Sequence, residues 1–163
     1  MFKLKPFNAV DASFFTTANF RVTTSIVAKC TPEQVFTTIR GDKVWTKWAP
    51  VIKQVDWTCT EPYGLNSTRT VHLTGGLMVK EIFFRWQENE RASFYVTEGS
   101  TPNTRAFAED YLVERVDEQH TRLTWTVALQ MTGISGLFTP ISNLIMKPVF
   151  QSWLNRYKAI LEQ

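Results

Sequence analysis

The sequence has few of the residues that build metal centres and no concentration of charge. Among its 163 residues are two cysteines, Cys30 and Cys59, and two histidines, His72 and His120. Neither pair has a metal-ligand spacing, so we predict no zinc site and expect no cofactor. The net charge is only +3, and no run of Lys or Arg stands out. Nucleic-acid binding normally requires a basic stripe, so we predict no nucleic-acid partner.

Long apolar runs and catalytic signature motifs are also missing. No stretch approaches the ~20 apolar residues that a membrane span requires, so stable membrane insertion is not expected. The N-terminal segment has a basic start, but Asp11 interrupts it before an apolar region forms, unlike in a signal peptide. We therefore expect a cytoplasmic protein with reduced thiols. Neither a nucleophile elbow nor a glycine-rich phosphate loop is present.

Aromatic residues are abundant: 12 Phe, 6 Trp and 4 Tyr make up 13% of the sequence. Such bulky rings either fill a core or line a pocket. The chain is long enough to bury a substantial core within one domain. We interpret residues 1–19 as an N-terminal extension packed on a domain that spans residues 20–163.

The order of secondary structure elements is readable from local patterns. Residues 20–28 alternate apolar and polar side chains and are rich in β-branched residues, which predicts a first strand. Thr31, Pro32 and Gln34 form a capping-box start for a short helix, and Asp42 begins a second one that ends before Pro50. Six further strand patterns follow, at residues 51–60, 68–73, 78–87, 91–97, 106–116 and 121–131.

The last segment predicts a long amphipathic helix that begins at Thr139 and Pro140. At about 100° per residue, its large apolar side chains fall within one arc. These are Met146, Val149, Phe150, Trp153, Leu154, Tyr157, Ile160 and Leu161.

One strand, two short helices, six strands and a long helix make up the helix-grip layout. This is an α+β fold in which a curved antiparallel sheet of about seven strands wraps around a long C-terminal helix. From about Phe20 to Glu162, the sequence resembles the polyketide cyclase/dehydrase and lipid-transport family of the START-like (Bet v 1-like, SRPBCC) superfamily. The segments that carry the resemblance are SIVAKCTPEQVFTTI, VWTKWAP, GLNSTRTV, FAEDYLVE and HTRLTWTVAL.

The resemblance implies an internal apolar cavity but no catalytic residue, because the family has no universal one. Trp45 and Trp48, on the second short helix, lie where the resemblance places the cavity entrance. The alternative is that the large rings fill the interior completely. The candidate wall residues are Trp57, Phe107, Glu109, Tyr111, Val113, Trp125, Val127, Leu129, Val149, Phe150 and Trp153.

Glu109 is the most informative of the polar candidates. It shares strand parity with Phe107 and Tyr111, and we favour this set as the inward one because it contains more apolar bulk. A carboxylate in an apolar cavity must be paired or protonated. Two roles stay open at this point: a structural pairing with Arg85 or Arg105, and a catalytic or ligand-orienting role.

Two further residues complete the set of catalytic candidates. Tyr111 could offer its hydroxyl to a ligand, although a buried tyrosine more often pairs with the backbone. Strand parity places His72 on the opposite face from Val71 and Leu73, which favours a surface position over a cavity base.

We derive three functional hypotheses. The preferred one is binding or carriage of a hydrophobic small molecule (a lipid, an acyl chain or a polycyclic aromatic) without catalysis. The second is a polyketide cyclase or dehydratase that uses Glu109 with Tyr111 or His72. The third is a protein-interaction module that uses exposed Trp45 and Trp48. The expected oligomeric state is a monomer or a weak homodimer.

Overall fold

The chain folds into a long antiparallel sheet and a C-terminal helix in a computed structural model that describes residues 3–133 and 139–163, with only the backbone at 139–143. The elements are β1 Lys5–Pro6, α1 Phe14–Thr17, β2 Phe20–Ala28, α2 Pro32–Arg40, α3 Asp42–Trp48, β3 Ile52–Trp57, β4 Thr68–Leu73, β5 Met78–Gln87, β6 Arg91–Gly99, β7 Thr104–Arg115, β8 Thr121–Met131 and α4 Thr139–Leu161.

The short helices α2 and α3 lie between β2 and β3, as predicted, and local chemistry explains where α2 begins. The Thr31 side chain accepts a hydrogen bond from the Gln34 backbone N–H, and the Gln34 side chain accepts one from the Thr31 backbone N–H. Pro32 occupies the first helical position, where its missing N–H is not needed. This reciprocal pair satisfies two donors that the helix start would otherwise leave free.

The main path of the sheet is antiparallel, in the order β2-β8-β7-β6-β5-β4-β3. Strands β3 to β8 form a meander of sequential neighbours. Strand β2 pairs with β8 and is the strand at that end of the order. Helix α4 packs against β2 and α3. The fold is therefore the predicted α+β helix-grip arrangement, in which seven strands pack against one long helix. We call the sheet face toward α4 the inner face.

The register between β7 and β8 determines which side chains meet on the inner face. Tyr111 lies opposite Trp125, and Glu109 lies opposite Val127. Because side chains alternate across a strand, all four lie on the same side of the sheet. Asp110, between Glu109 and Tyr111, must then lie on the outer face.

The N-terminal segment packs on both faces of the sheet. On the outer face, Phe14 is buried in a small cluster with Ala106, Ala108 and Ala128. Strand β1 pairs with β6, where Lys5 lies opposite Gly99. The Phe7 ring packs directly over Gly99, where a Cβ atom would lie 2.7 Å from the ring Cζ. Glycine is required there because no side chain fits under the ring. Phe7 thereby joins the main hydrophobic core on the inner face.

Candidate functional site

A cavity of about 470 Å³ lies between the inner face of the sheet, α3 and α4. Its size falls within the usual range for small-molecule sites, and its walls are predominantly apolar. Ten predicted site residues lie on its wall: Trp45, Trp48, Phe107, Glu109, Tyr111, Trp125, Val127, Leu129, Phe150 and Trp153.

Trp45 and Trp48 lie in the cavity wall and are not exposed at an entrance. They are only 3% and 2% exposed, so the expectation of exposed rings is wrong. Their spacing of three residues places both on the buried side of α3. Trp45 makes an edge contact with Tyr111, and Trp48 stacks on Tyr157 with ring centroids 5.0 Å apart.

Three predicted wall residues lie elsewhere in the described structure. Trp57 stacks on Tyr63 at 4.0 Å and donates its indole N–H to the Arg40 carbonyl, away from the cavity. Val113 is buried in the core without lining the cavity. Val149 is 38% exposed because α4 directs its neighbour Phe150 to the cavity instead.

His72 lies outside the cavity and cannot act as a base within it. Its neighbour Val71 lines the cavity, so the alternation of β4 directs His72 to the other face. There it is partly exposed, and its Nε2 lies 3.2 Å from an Asp56 carboxylate oxygen. The surface position favoured by strand parity matches this geometry.

Glu109 is the predicted acid that the structure brings into the cavity wall. Its Oε2 accepts hydrogen bonds from the Tyr111 hydroxyl and from the Trp125 indole N–H, the latter at 2.9 Å. The structural pairing with Arg85 or Arg105, one of the two roles that the sequence left open, is not found among the described residues. Arg85 lies 3.7 Å from Asp110 on the outer face, and the Arg105 side chain is exposed. Glu109 therefore has two neutral donors and no cationic partner among the described residues.

The surroundings of Glu109 favour a carboxyl group that can gain or lose a proton near neutral pH. Burial raises the pKa of Glu109 from 4.5 to about 7, and the negative charge of Glu81 adds to this shift. The hydrogen bonds from Tyr111 and Trp125 oppose it, because they stabilise the charged form. Burial also raises the pKa of Tyr111 well above its usual range, so its hydroxyl stays a donor.

A buried ion pair next to this acid was not identified from the sequence. Arg69 is 2% exposed, and its Nε lies 2.6 Å from Oε2 of Glu81, which lines the cavity. The Arg69 guanidinium lies over aromatic faces, at 4.2 Å from the Trp45 ring centroid and 4.7 Å from that of Phe94. Its Nη1 makes no hydrogen bond. Part of the guanidinium is therefore stabilised by ring faces, where hydrogen bonds to oxygen atoms would be usual.

A signal for this pair was present in the sequence. Arg69 shares strand parity with Val71, and Glu81 shares it with Val79, so both charges belong to inward-facing sets. The observed register places Arg69 directly opposite Glu81. Opposite charges at inward positions of adjacent strands could have been recognised as a buried pair.

No group of three or more His, Cys, Asp or Glu side chains among residues 3–133 and 139–163 is arranged to hold a metal ion. In the same part of the chain, no helix is long and apolar enough to cross a bilayer.

Comparison with known proteins gives consistent matches along most of the chain. A family model described as polyketide cyclase/dehydrase and lipid transport matches residues 19–162. An uncharacterized protein of Mycobacterium tuberculosis is 36% identical over 156 residues, which cover 93% of this chain and 92% of the relative.

Solved structures share the fold at low sequence identity. A START superfamily protein from Mycobacterium smegmatis has a TM-score of 0.71 at 10% identity and covers 86% of this chain and 96% of its own. A conserved protein from Geobacillus kaustophilus has a TM-score of 0.69 at 12% identity, over 87% and 95% of the two chains.

Proposed function

Because this chain belongs to the polyketide cyclase/dehydrase and lipid transport family, we propose that it binds and carries a hydrophobic small molecule in its cavity. The supporting observation is a cavity of about 470 Å³ with mostly apolar and aromatic walls and one carboxyl group, that of Glu109, without an ion-pair partner among the described residues. A lipid, an acyl chain or a polycyclic aromatic has the apolar surface that such walls would cover.

Burial of apolar surface would provide most of the affinity. A ligand that loses about 300 Å² of apolar surface to the cavity gains roughly 7 kcal/mol before the entropic costs of binding. Trp48, Trp125, Phe150 and Trp153 supply rigid rings for this contact. Glu109 lies on a predominantly apolar wall and has no ion-pair partner among the described residues, so it would orient a ligand with a single polar end.

A fluorescent apolar probe tests this function directly. N-phenyl-1-naphthylamine gains fluorescence when it enters an apolar site, and we expect saturable binding to the purified protein. Val127 lies on the cavity wall opposite Glu109, so Val127→Trp adds bulk where the ligand would lie. We expect this variant to bind the probe at least tenfold more weakly.

The matched control uses the adjacent residue of the same strand. Thr126 lies on the opposite face of β8, so Thr126→Trp adds the same ring outside the cavity. We expect Thr126→Trp to bind the probe like the wild type, with thermal unfolding showing that both variants are folded. Equal binding by Val127→Trp and the wild type would contradict a ligand site in this cavity.

A second candidate function is acid–base catalysis, and the raised pKa of Glu109 favours it. A carboxyl group with a pKa of about 7 is well matched to proton transfer at neutral pH, and Tyr111 lies in contact with it. In this scheme Glu109 protonates or deprotonates a poly-keto substrate folded against the cavity wall. Glu109→Gln would then abolish turnover of a poly-keto substrate and leave its binding nearly unchanged. Equal turnover by the variant and the wild type would contradict catalysis by this residue.

The third hypothesis, a protein-interaction module, loses the surface on which it depended. It required exposed Trp45 and Trp48, and both rings are buried in the cavity wall. The expected monomer or weak homodimer stays a prediction.

A further inference from the structure

The carboxyl groups of Glu109 and Glu81 present acceptor oxygen atoms to the cavity, whereas Arg69, whose Nη1 makes no hydrogen bond, is not among the described residues that line it. Arg69 Nε donates to Oε2 of Glu81, and the donors Tyr111 and Trp125 both reach Oε2 of Glu109. No hydrogen bond in the described part of the chain reaches Oε1 of Glu109 or Oε1 of Glu81. The ionisable groups on this wall therefore present acceptors to a ligand.

The charge balance of the same groups is incomplete. No lysine or arginine is among the described residues that line the cavity. Arg69 and Glu81 neutralise each other, so an ionised Glu109 leaves one uncompensated negative charge. A negative charge in an apolar interior is costly unless a partner of opposite charge is present. Arg69 lowers the pKa of Glu109 through its charge, but it is ion-paired with Glu81, and no described side chain forms an ion pair with Glu109.

The hydrogen bonds of Glu109 are arranged for its ionised form. Both Tyr111 and Trp125 donate to Oε2, and the Trp125 indole N–H can only donate. Donors of this kind stabilise a carboxylate more than a carboxylic acid. The second oxygen, Oε1, is left for a donor that comes with the ligand.

The aromatic rings of the cavity wall also favour a positively charged group over a negatively charged one. Trp125 and Phe150 meet edge to face with centroids 5.3 Å apart, and Phe150 meets Trp153 in the same way. Ring faces carry negative potential, so they attract cations. Within the protein itself, the Arg69 cation already packs against the Trp45 ring in this way.

We propose that the ligand carries a protonated amine on an apolar body, with the ammonium group on Glu109 and the body against the aromatic wall. This inference rests on the proposed ligand-binding function. An ammonium group supplies the N–H donors and the positive charge that the wall lacks. A ligand with a carboxylate or phosphate end would bring a second negative charge to Glu109 and would be rejected.

Glu109 is the group whose ionisation changes between pH 6 and 8. The ionisable groups that face it are Tyr111 from the same strand, Glu81 from β5 and Arg69 from β4, and Tyr157 from α4 acts on Tyr111. Burial raises the pKa of Glu81 as well, but the charge and hydrogen bond of Arg69 oppose that shift. Burial raises the pKa of Tyr157 far above neutral pH. An aliphatic amine stays protonated over the same range. Amine binding should therefore strengthen as Glu109 ionises.

The test uses three ligands with the same body and different ends: 2-naphthylmethylamine, 2-naphthylmethanol and 2-naphthoate. Isothermal titration calorimetry at pH 8 should rank the amine at least tenfold tighter than the alcohol, with the carboxylate weakest. Lowering the pH to 6 should weaken amine binding about tenfold and leave alcohol binding within about twofold.

Two variants assign the preference to Glu109. Glu109→Gln should remove the advantage of the amine over the alcohol while it keeps the alcohol affinity. Glu114→Gln changes an exposed glutamate on the same strand and should keep the wild-type preference. The pH series on the wild type answers the same question if Glu109→Gln does not fold.

The outcomes separate this inference from the function on which it rests. If N-phenyl-1-naphthylamine binds but the amine is not preferred, the amine inference is wrong and the cavity function stands. A preference that survives in Glu109→Gln, or the tightest binding by 2-naphthoate, also overturns the inference. If neither the probe nor any of the three ligands binds, both proposals fail.

Discussion

Glu109 and Asp110 are neighbours on β7, but their side chains lie on opposite faces of the sheet and have different partners. On the outer face, Asp110 accepts hydrogen bonds from Arg91 Nε at 3.0 Å and Nη2 at 2.9 Å, and from the Ser93 hydroxyl at 2.6 Å. Arg85 lies 3.7 Å away as a second cation. On the inner face, Glu109 has neutral donors and no cation.

The difference separates an acid that serves the fold from the acid that we propose for the ligand site. A buried carboxylate with its full set of charged partners joins strands together, and removing it leaves those partners unpaired. A buried carboxylate without a cation reduces stability once it ionises, and such groups cluster at functional sites. By this criterion Asp110 belongs to the scaffold and Glu109 to the site.

The largest expected effect comes from substitution of Arg69. Because Arg69 is the ion-pair partner of Glu81, Glu81 is a charge-paired acid like Asp110 and unlike Glu109. Arg69→Met would leave the Glu81 carboxylate buried without a partner, at a cost of about 4 kcal/mol in the free energy of unfolding. Urea denaturation at pH 7 measures this loss. The double variant Arg69→Met/Glu81→Leu should recover at least half of it. A loss below about 1 kcal/mol in the single variant would show that the pair contributes little.

The second largest effect is expected for Asp110→Ala, which should lower the free energy of unfolding by about 3 kcal/mol. This substitution leaves Arg91 and Ser93 without their common acceptor. The same denaturation experiment applies, with the exposed Glu114→Ala as the matched control. If Asp110→Ala and Glu114→Ala unfold alike, the outer cluster is not a structural unit and the comparison fails.

At high pH, Glu109→Gln should increase the free energy of unfolding, whereas the substitutions of Arg69 and Asp110 should decrease it. The pKa of Glu109 is raised to about 7 in the folded state, so its carboxyl group is neutral below about pH 4.5 in both states. As pH rises toward 7, the unfolded state ionises first, and the wild type loses stability. The variant avoids this loss, so it should be about 3 kcal/mol more stable relative to wild type at pH 8 than at pH 4. A pH-independent difference would contradict the raised pKa.

Tyr111→Phe should have the smallest effect on stability, because it removes only the hydroxyl that donates to Glu109. Its hydroxyl donates to Glu109 and lowers the pKa of that carboxyl group, so its removal should raise this pKa further above 7. The loss of stability should be about 1 kcal/mol at pH 5. Carbon-detected NMR of the Glu109 carboxyl group measures the pKa, and a decrease would contradict the assigned hydrogen bond.

Most of the fold was predictable because strand alternation and capping are local patterns. The bounds of the first long strand, Phe20–Ala28, agree with the prediction, as do the start of α4 at Thr139 and the capping box of Thr31. Parity along β7 also placed Glu109 on the inner face together with Tyr111. Two-residue alternation needs no knowledge of neighbouring strands.

What failed depended on packing between elements. The exposure of Trp45 depends on how α3 packs on the sheet, and that of Val149 on how α4 is rotated against it. Neither quantity is contained in local periodicity. The pairing of Arg69 with Glu81 required the register of β4 against β5, which turn lengths alone left open.

The most direct test of the central claim, that an apolar ligand occupies this cavity, is native mass spectrometry of gently purified protein. The wild type should carry an additional mass that is released on denaturation and identified as an apolar molecule. Val127→Trp should lack it, and Thr126→Trp should retain it. An identical adduct on Val127→Trp, or a bare protein mass together with no binding of N-phenyl-1-naphthylamine, would contradict the account.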